Sequence, residues 1–173
     1  MSISESRAAA AGTHLRVPYA NSSPRHIKII GLGDQGERIV QAIGRRGLAD
    51  VDVINPGGVA TDLLETMVRD VADSARDLHR QLQEANMIFM IAFSGENVEF
   101  APVVSRVAHE LGKCVTCILI EPQGASPPGG AATLDVMRAC ADMLVIGSDE
   151  SYLDEMLNAL GATARQCTGK NLP

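Results

Sequence analysis

Aromatic side chains are scarce: Phe and Tyr make up 3% of the 173 residues, and there is no Trp. The core must therefore be built from Val, Ile, Leu, Met and Ala, a palette that suits a parallel sheet covered by helices. Cysteine is sparse too, with four residues. That is too few for a disulfide scaffold and fits a reducing cytoplasm, which is the expected location. No apolar run approaches the roughly 20 residues of a membrane-spanning helix. Nor is there a Lys/Arg cluster. The 15 Lys and Arg stand against 21 Asp and Glu, a net charge of −6, and such a surface repels nucleic-acid phosphates. Neither nucleic acid nor a membrane is expected as a partner. The first 25 residues are rich in Ala, Ser and Arg and lack the continuous apolar stretch of a secretory signal. They read as a flexible tail, with a cleaved targeting peptide as the alternative.

What is present is a regular alternation of short apolar runs and amphipathic segments. Ile27, Ile29 and Ile30 form a strand that stops at Gly31, and a helix carrying Ile39, Val40 and Ile43 follows and ends at Gly47. Val51, Val53 and Ile54 make a second strand, closed by Asn55-Pro56-Gly57-Gly58. Leu63, Leu64, Met67, Val68, Val71, Ala75, Leu78 and Leu82 keep a period near 3.6 residues, the mark of a long helix. A third strand is expected at Met87 to Ala92 and a fourth at Val115 to Ile120, with a helix between them that opens near Pro102 and is lined by Val103, Val104, Val107 and Leu111. A helix with Leu134 and Met137, a fifth strand from Met143 to Ile146, and a last helix with Leu153, Met156, Leu157 and Leu160 complete the pattern, with Gly161 as its stop. This predicts one domain over residues 26–161, with tails at 1–25 and 162–173. The fold class is α/β: a doubly wound, Rossmann-like, mostly parallel five-stranded sheet with helices on both faces and strand order 2-1-3-4-5.

The chemical signal lies after the first strand. Gly31-Leu32-Gly33-Asp34-Gln35-Gly36 is a G-x-G-x-x-G that follows a strand and opens a helix. In such a loop the first glycine makes the tight turn, the second admits a phosphate to the backbone, and the third lets helix pack on strand. The helix N-terminus offers N–H groups and partial positive charge to an anion. A tight strand-to-helix turn with no ligand is the competing reading. Asp34 and Glu37 favour it, because their carboxylates fall where phosphate would sit.

Several segments together resemble the FtsZ/tubulin GTPases. Ile27 to Asn55, IKIIGLGDQGERIVQAIGRRGLADVDVIN, resembles the opening strand, glycine loop, helix and second strand of that family. Val68 to Ala92, VRDVADSARDLHRQLQEANMIFMIA, is similar to the helix that precedes its central strand. Ala101 to Pro122, APVVSRVAHELGKCVTCILIEP, resembles the A-P-V-V-x-x-x-A-x-x-L-G segment and the strand after it, and Ala141 to Ser148, ADMLVIGS, resembles D-x-L-I-V-I-P-N. The likeness covers the N-terminal, nucleotide-binding half of the family. It implies GTP or GDP as the ligand and an FtsZ-like protein or a second copy of the chain as partner. It places the site at Gly31, Gly33, Asp34, Gln35, Gly36, Asn55, Ser94, Gly95 and Asn97, with Asn55 and Asn97 able to bond a base or ribose. No catalytic residue and no metal ligand is assigned.

The departures weigh against turnover. Where the family carries G-G-G-T-G-T-G around the phosphates, this chain reads Phe93-Ser94-Gly95-Glu96-Asn97-Val98-Glu99-Phe100, with one glycine and two carboxylates. The glycine-bearing loop between Pro56 and Val68 is largely missing, Arg38 stands in place of the usual Asn, and nothing matches the N-x-D-x-x-D loop that completes GTP hydrolysis. Phosphoryl transfer needs positioned donors and cations around developing negative charge, so the chain is not expected to be an active GTPase on its own. A nucleotide-holding module, a ligand-free pseudo-GTPase scaffold and an NAD(P)-binding Rossmann protein remain as readings. Asn55 at the end of the second strand, where an NAD site has an acid, counts against the third.

Other constellations are weaker. Cys114 and Cys117 form a C-x-x-C, but on a strand positions i and i+3 point to opposite faces, so structural cysteines are expected. His79 and His109 lie on helices without a motif around them. Asp149, Glu150, Asp154 and Glu155 read as favourable charge at a helix start.

Overall fold

The computed structural model describes residues 25–54, 70–124, 127–160 and 162. The apolar runs become β1 (Ile27–Leu32), β2 (Val51–Ile54), β3 (Met87–Phe93), β4 (Val115–Ile120) and β5 (Met143–Gly147). The amphipathic segments become α1 (Gly33–Arg45), α2 (Asp70–Gln83), α3 (Ala101–Glu110), α4 (Gly130–Cys140) and α5 (Ser151–Ala159). The strands form one all-parallel sheet in the order β2-β1-β3-β4-β5, as the sequence pattern predicts.

Alternation along each strand divides the core in two. Ile30, Leu32, Met90, Ala92, Cys117 and Leu119 face α2, α3 and α4. Ile27, Ile29, Phe89, Ile91, Ile118 and Ile120 face α1 and α5. Both faces are covered, which explains why the central strands are apolar at nearly every position. Full burial of an Ile or Leu side chain contributes about 1.5–3 kcal/mol, and Ile29, Ile30, Ile91 and Leu119 have no exposed surface.

Several element ends differ from the sequence reading. β1 runs through Gly31 to Leu32, and β3 extends to Phe93, because neighbouring strands continue to pair with them. Val103 does not line the core. It is 38% exposed, whereas Val104 and Val107 on the same helix are buried. α5 begins at Ser151, after Asp149 Oδ1 has accepted the Ser151 N–H at 2.8 Å. The Ser151 hydroxyl first, and then that N–H contact, hold the Asp149 carboxyl below its ordinary pKa. At the end of α1, Gly47 takes φ +60 and its N–H reaches the Gly44 carbonyl, which closes the helix. Residues 1–24, 55–69, 125–126, 161 and 163–173 lie outside the described residues. Among the described residues no helix is long and apolar enough to cross a membrane.

Two polar ties lock the helices to the frame. Arg46, after α1, pairs with Asp154 of α5, and its second guanidinium nitrogen lies 3.2 Å from Asp154 Oδ2. Asp142 Oδ2 accepts the Val115 N–H at 2.7 Å and lies 3.0 Å from His109 Nε2. Those contacts, the backbone one first, draw the Asp142 carboxyl below its ordinary pKa.

Candidate functional site

From β1 the sheet grows one way to β2 and the other way to β3 and β4. In open α/β sheets this reversal leaves a crevice beyond the carboxyl ends of the strands. The glycine segment stands at that point. Gly31 is the fifth residue of β1, and a Cβ there would fall on the Gly36 carbonyl oxygen. A Cβ on Gly36 would lie 2.6 Å from the Ile91 carbonyl oxygen. Both glycines therefore let the first turn of α1 press onto β1 and β3. The tight turn falls to Gly33, at φ +71, and not to Gly31.

Gly33 has a second role. A Cβ there would clash with Oε2 of Glu96, so the missing side chain makes room for a carboxylate. Glu96 Oε2 accepts the main-chain N–H of Gln35 at 3.2 Å. The first N–H groups of any helix lack partners inside it, and Leu32, the N-cap of α1, gives no side-chain cap. An anion supplied from 61 residues further along fills that role. Negative charge at a helix start gains about 0.3–1 kcal/mol from the helix dipole at exposed sites. Asp34 is exposed in the same turn, and Gln35 contributes its backbone rather than its side chain.

The loop carrying Glu96 is anchored on its other side. Ser94 is buried, and its N–H reaches the Ile120 carbonyl at 2.9 Å, one step beyond the β3–β4 pairing. Gly95 donates its N–H to Thr133 Oγ1 at 3.2 Å, while that hydroxyl lies 3.1 Å from the Glu96 carbonyl and 3.2 Å from the Gly129 carbonyl. A Cβ on Gly130 would sit 2.5 Å from Ser94 Oγ. Asn97 turns its Oδ1 to the Glu99 N–H at 2.9 Å, within its own loop. Of the residues expected at the site, Gly31, Gly33, Gln35 and Gly36 thus cluster with Glu96. Ser94 is held by the end of β4 and Gly95 by Thr133 of α4, Asn97 is exposed, and Asn55 lies outside the described residues. Thr133, Gly129 and Gly130 were not anticipated. Their only signal in the sequence is the Pro127-Pro128-Gly129-Gly130 punctuation, which reads as a generic loop.

A cavity of about 450 Å³ opens at the carboxyl ends of β3, β4 and β5, against Phe93, Ile120, Pro122, Ser148, Asp149 and Ser151. Here too a carboxylate of the chain, that of Asp149, takes the N–H at the helix start. The C-x-x-C does not form a paired site. Cys114 precedes β4 and is exposed, whereas Cys117 is fully buried. Burial, then the neighbouring Cys140 and Asp142, push the Cys117 thiol up to about 12. Burial also raises the Cys140 thiol.

No protein-family model matches the sequence. No curated protein matches it either. Solved structures do match. An empty FtsZ dimer from M. jannaschii is 15% identical, with a TM-score of 0.54 over 84% of this chain and 49% of that one. The W319Y mutant of FtsZ from M. jannaschii is 16% identical, with a TM-score of 0.53 over 85% of this chain and 49% of that one. The chain spans about half the length of the FtsZ structures it matches. The strand order, the glycine turn at the switch point and these matches agree: the chain has the α/β fold of FtsZ, with a carboxylate standing at the start of its first helix.

Proposed function

We propose that this chain is an FtsZ-like pseudo-GTPase domain, a binding or assembly module that does not turn over GTP. One observation carries the reading: the Glu96 carboxylate stands on the Gln35 N–H, in the space left by Gly33, where the resemblance would place a nucleotide phosphate. Two anions in one seat repel. The loop that would wrap the phosphates is instead bonded to Thr133 and Ile120.

The assembly side of the proposal draws on β5. It is the last strand of the sheet, and Met143 and Ile146 on it are 59% and 51% exposed. An apolar sheet edge of this kind suits a protein partner. The occupant we favour is a second copy of the chain, given the FtsZ dimer among the matched structures.

Thermal unfolding with GTP, GDP, ATP, NAD and NADP, each with and without magnesium, tests the reading. A ligand held at about 100 times its Kd would add about 2.7 kcal/mol. No nucleotide is expected to raise the melting temperature. A guanine-specific rise would establish a working nucleotide site, and a rise with NAD or NADP would favour the dehydrogenase-like reading instead.

A further inference from the structure

We infer that β5 pairs antiparallel with β5 of a second copy of the chain, so that two five-stranded sheets join into one across a two-fold axis at Val145. The inference rests on the reading of the chain as an assembly module and names the contact. β5 has the sequence of an interior strand in an edge position. Four of its five residues, Met143 to Ile146, are apolar and the fifth is Gly147, yet none of them is fully buried. Strands apolar on both faces belong inside a parallel sheet. Edge strands that stay unpaired are blunted by charge, proline or a bulge. The opposite edge is blunted in this way, since β2 holds Asp52, paired with Lys28 of β1. β5 has no charge and no proline, and its register with β4 runs without interruption.

The backbone sets the register. The Gly147 carbonyl accepts the Glu121 N–H at 2.8 Å, so Gly147 turns its main-chain groups toward β4. These groups alternate in direction along a strand, which leaves those of Leu144 and Ile146 aimed at the open side. In an antiparallel pair centred on Val145, Leu144 of one copy lies opposite Ile146 of the other, and each such pair exchanges two main-chain hydrogen bonds. Met143 falls opposite Gly147, on the same face of the sheet, where the glycine leaves room for the longer side chain. Tyr152 stands beside that place, because a Cβ on Gly147 would lie 4.0 Å from the Tyr152 Cβ. Met143 of one copy thus meets the Tyr152 ring of the other, a favourable thioether–aromatic contact. Among the described residues the exposed large apolar side chains are Val103, Met143, Ile146 and Tyr152. One register covers the last three. It also sets no like charges opposite each other, since Asp142 faces Ser148 and Asp149 faces Ala141. This self-complementarity selects a second copy as the occupant, and a contact made by the same surface on both copies closes as a two-fold dimer.

Sedimentation of the full chain over a range of concentrations tests the contact. The expected species has twice the 18.3 kDa mass of the chain. Ile146→Lys puts a charge into the ladder at an exposed position and should return the monomer. Val103→Lys, exposed on α3, should leave the dimer whole. Unaltered circular dichroism shows that each variant is folded. In the unaltered chain, hydrogen exchange at the Leu144 and Ile146 amides should be slowed about tenfold or more in the dimer and should recover on dilution. A monomer at every concentration, or a dimer that Ile146→Lys leaves whole, would overturn the inference. So would slow exchange at these amides that is independent of concentration, which would put another segment of the same chain on the edge. A dimer built elsewhere would end this inference and spare the assembly reading, whereas GTP binding would be a separate failure, that of the pseudo-GTPase reading.

Discussion

Gly36 and Ile91 meet backbone to backbone: a methyl group on Gly36 would lie 2.6 Å from the Ile91 carbonyl oxygen. Ile91 is fully buried in the central strand, and Gly36 is in the first turn of the helix that crosses it. Neither side can yield without shifting a whole element. Gly36→Ala should therefore destabilise the fold by about 1–3 kcal/mol, the usual cost of overpacking. The urea midpoint measures it. An unchanged midpoint would mean that α1 can move away from β3 at no cost.

Thr133 joins the two loops at the carboxyl edge. It is 3% exposed and is the acceptor for the Gly95 N–H. Thr133→Val keeps the shape and removes that acceptor, which should cost about 1–3 kcal/mol. Hydrogen exchange at the Gly95 amide should speed up more than exchange at Ile91 or Leu119, because the change releases a loop and leaves the sheet intact.

The cysteines divide by environment. Cys114 is exposed, while Cys117 and Cys140 are buried with raised thiol pKa values. The thiolate is the reactive form. In the native protein a maleimide should therefore label Cys114 fast and leave Cys117 and Cys140 unlabelled until unfolding, as peptide mass mapping would show. The same shift sets an alkaline limit. Cys117 titrates near 9.0 when unfolded and at about 12 when folded. Both states bind the proton below the lower value, so stability is unaffected there. Above it the unfolded state alone loses the proton, and stability falls as pH rises towards the folded value. Cys117→Ala should make the decline between those pH values shallower.

The elements and their order were legible in the sequence because the physics was local and periodic. Apolar strands such as VTCILI (Val115–Ile120) are what a parallel sheet covered on both faces requires, and Ile39, Val40 and Ile43 mark one face of α1. Val103, at 38% exposure, lies just outside the face that buries Val104 and Val107, an offset that apolar spacing alone does not resolve because all three fall within one helical stripe. The site was legible only in part. The G-x-G-x-x-G spacing located the switch point, and Glu96 stood out as a carboxylate in a loop that would otherwise be rich in glycine. Its partner could not be read, since Gln35 contributes a backbone N–H 61 residues away. Thr133 was silent for a similar reason: its hydroxyl acts on main-chain atoms of loops that no spacing rule connects.

Direct titration of GTP with magnesium into the purified full-length chain, followed by calorimetry, tests the central claim most directly. A seat filled by Glu96 predicts no binding at micromolar nucleotide, the range near 8.2 kcal/mol, and no release of inorganic phosphate on longer incubation. Micromolar or tighter binding of GTP, with or without phosphate release, would contradict it and would mean that Glu96 yields to the nucleotide in the chain as it stands.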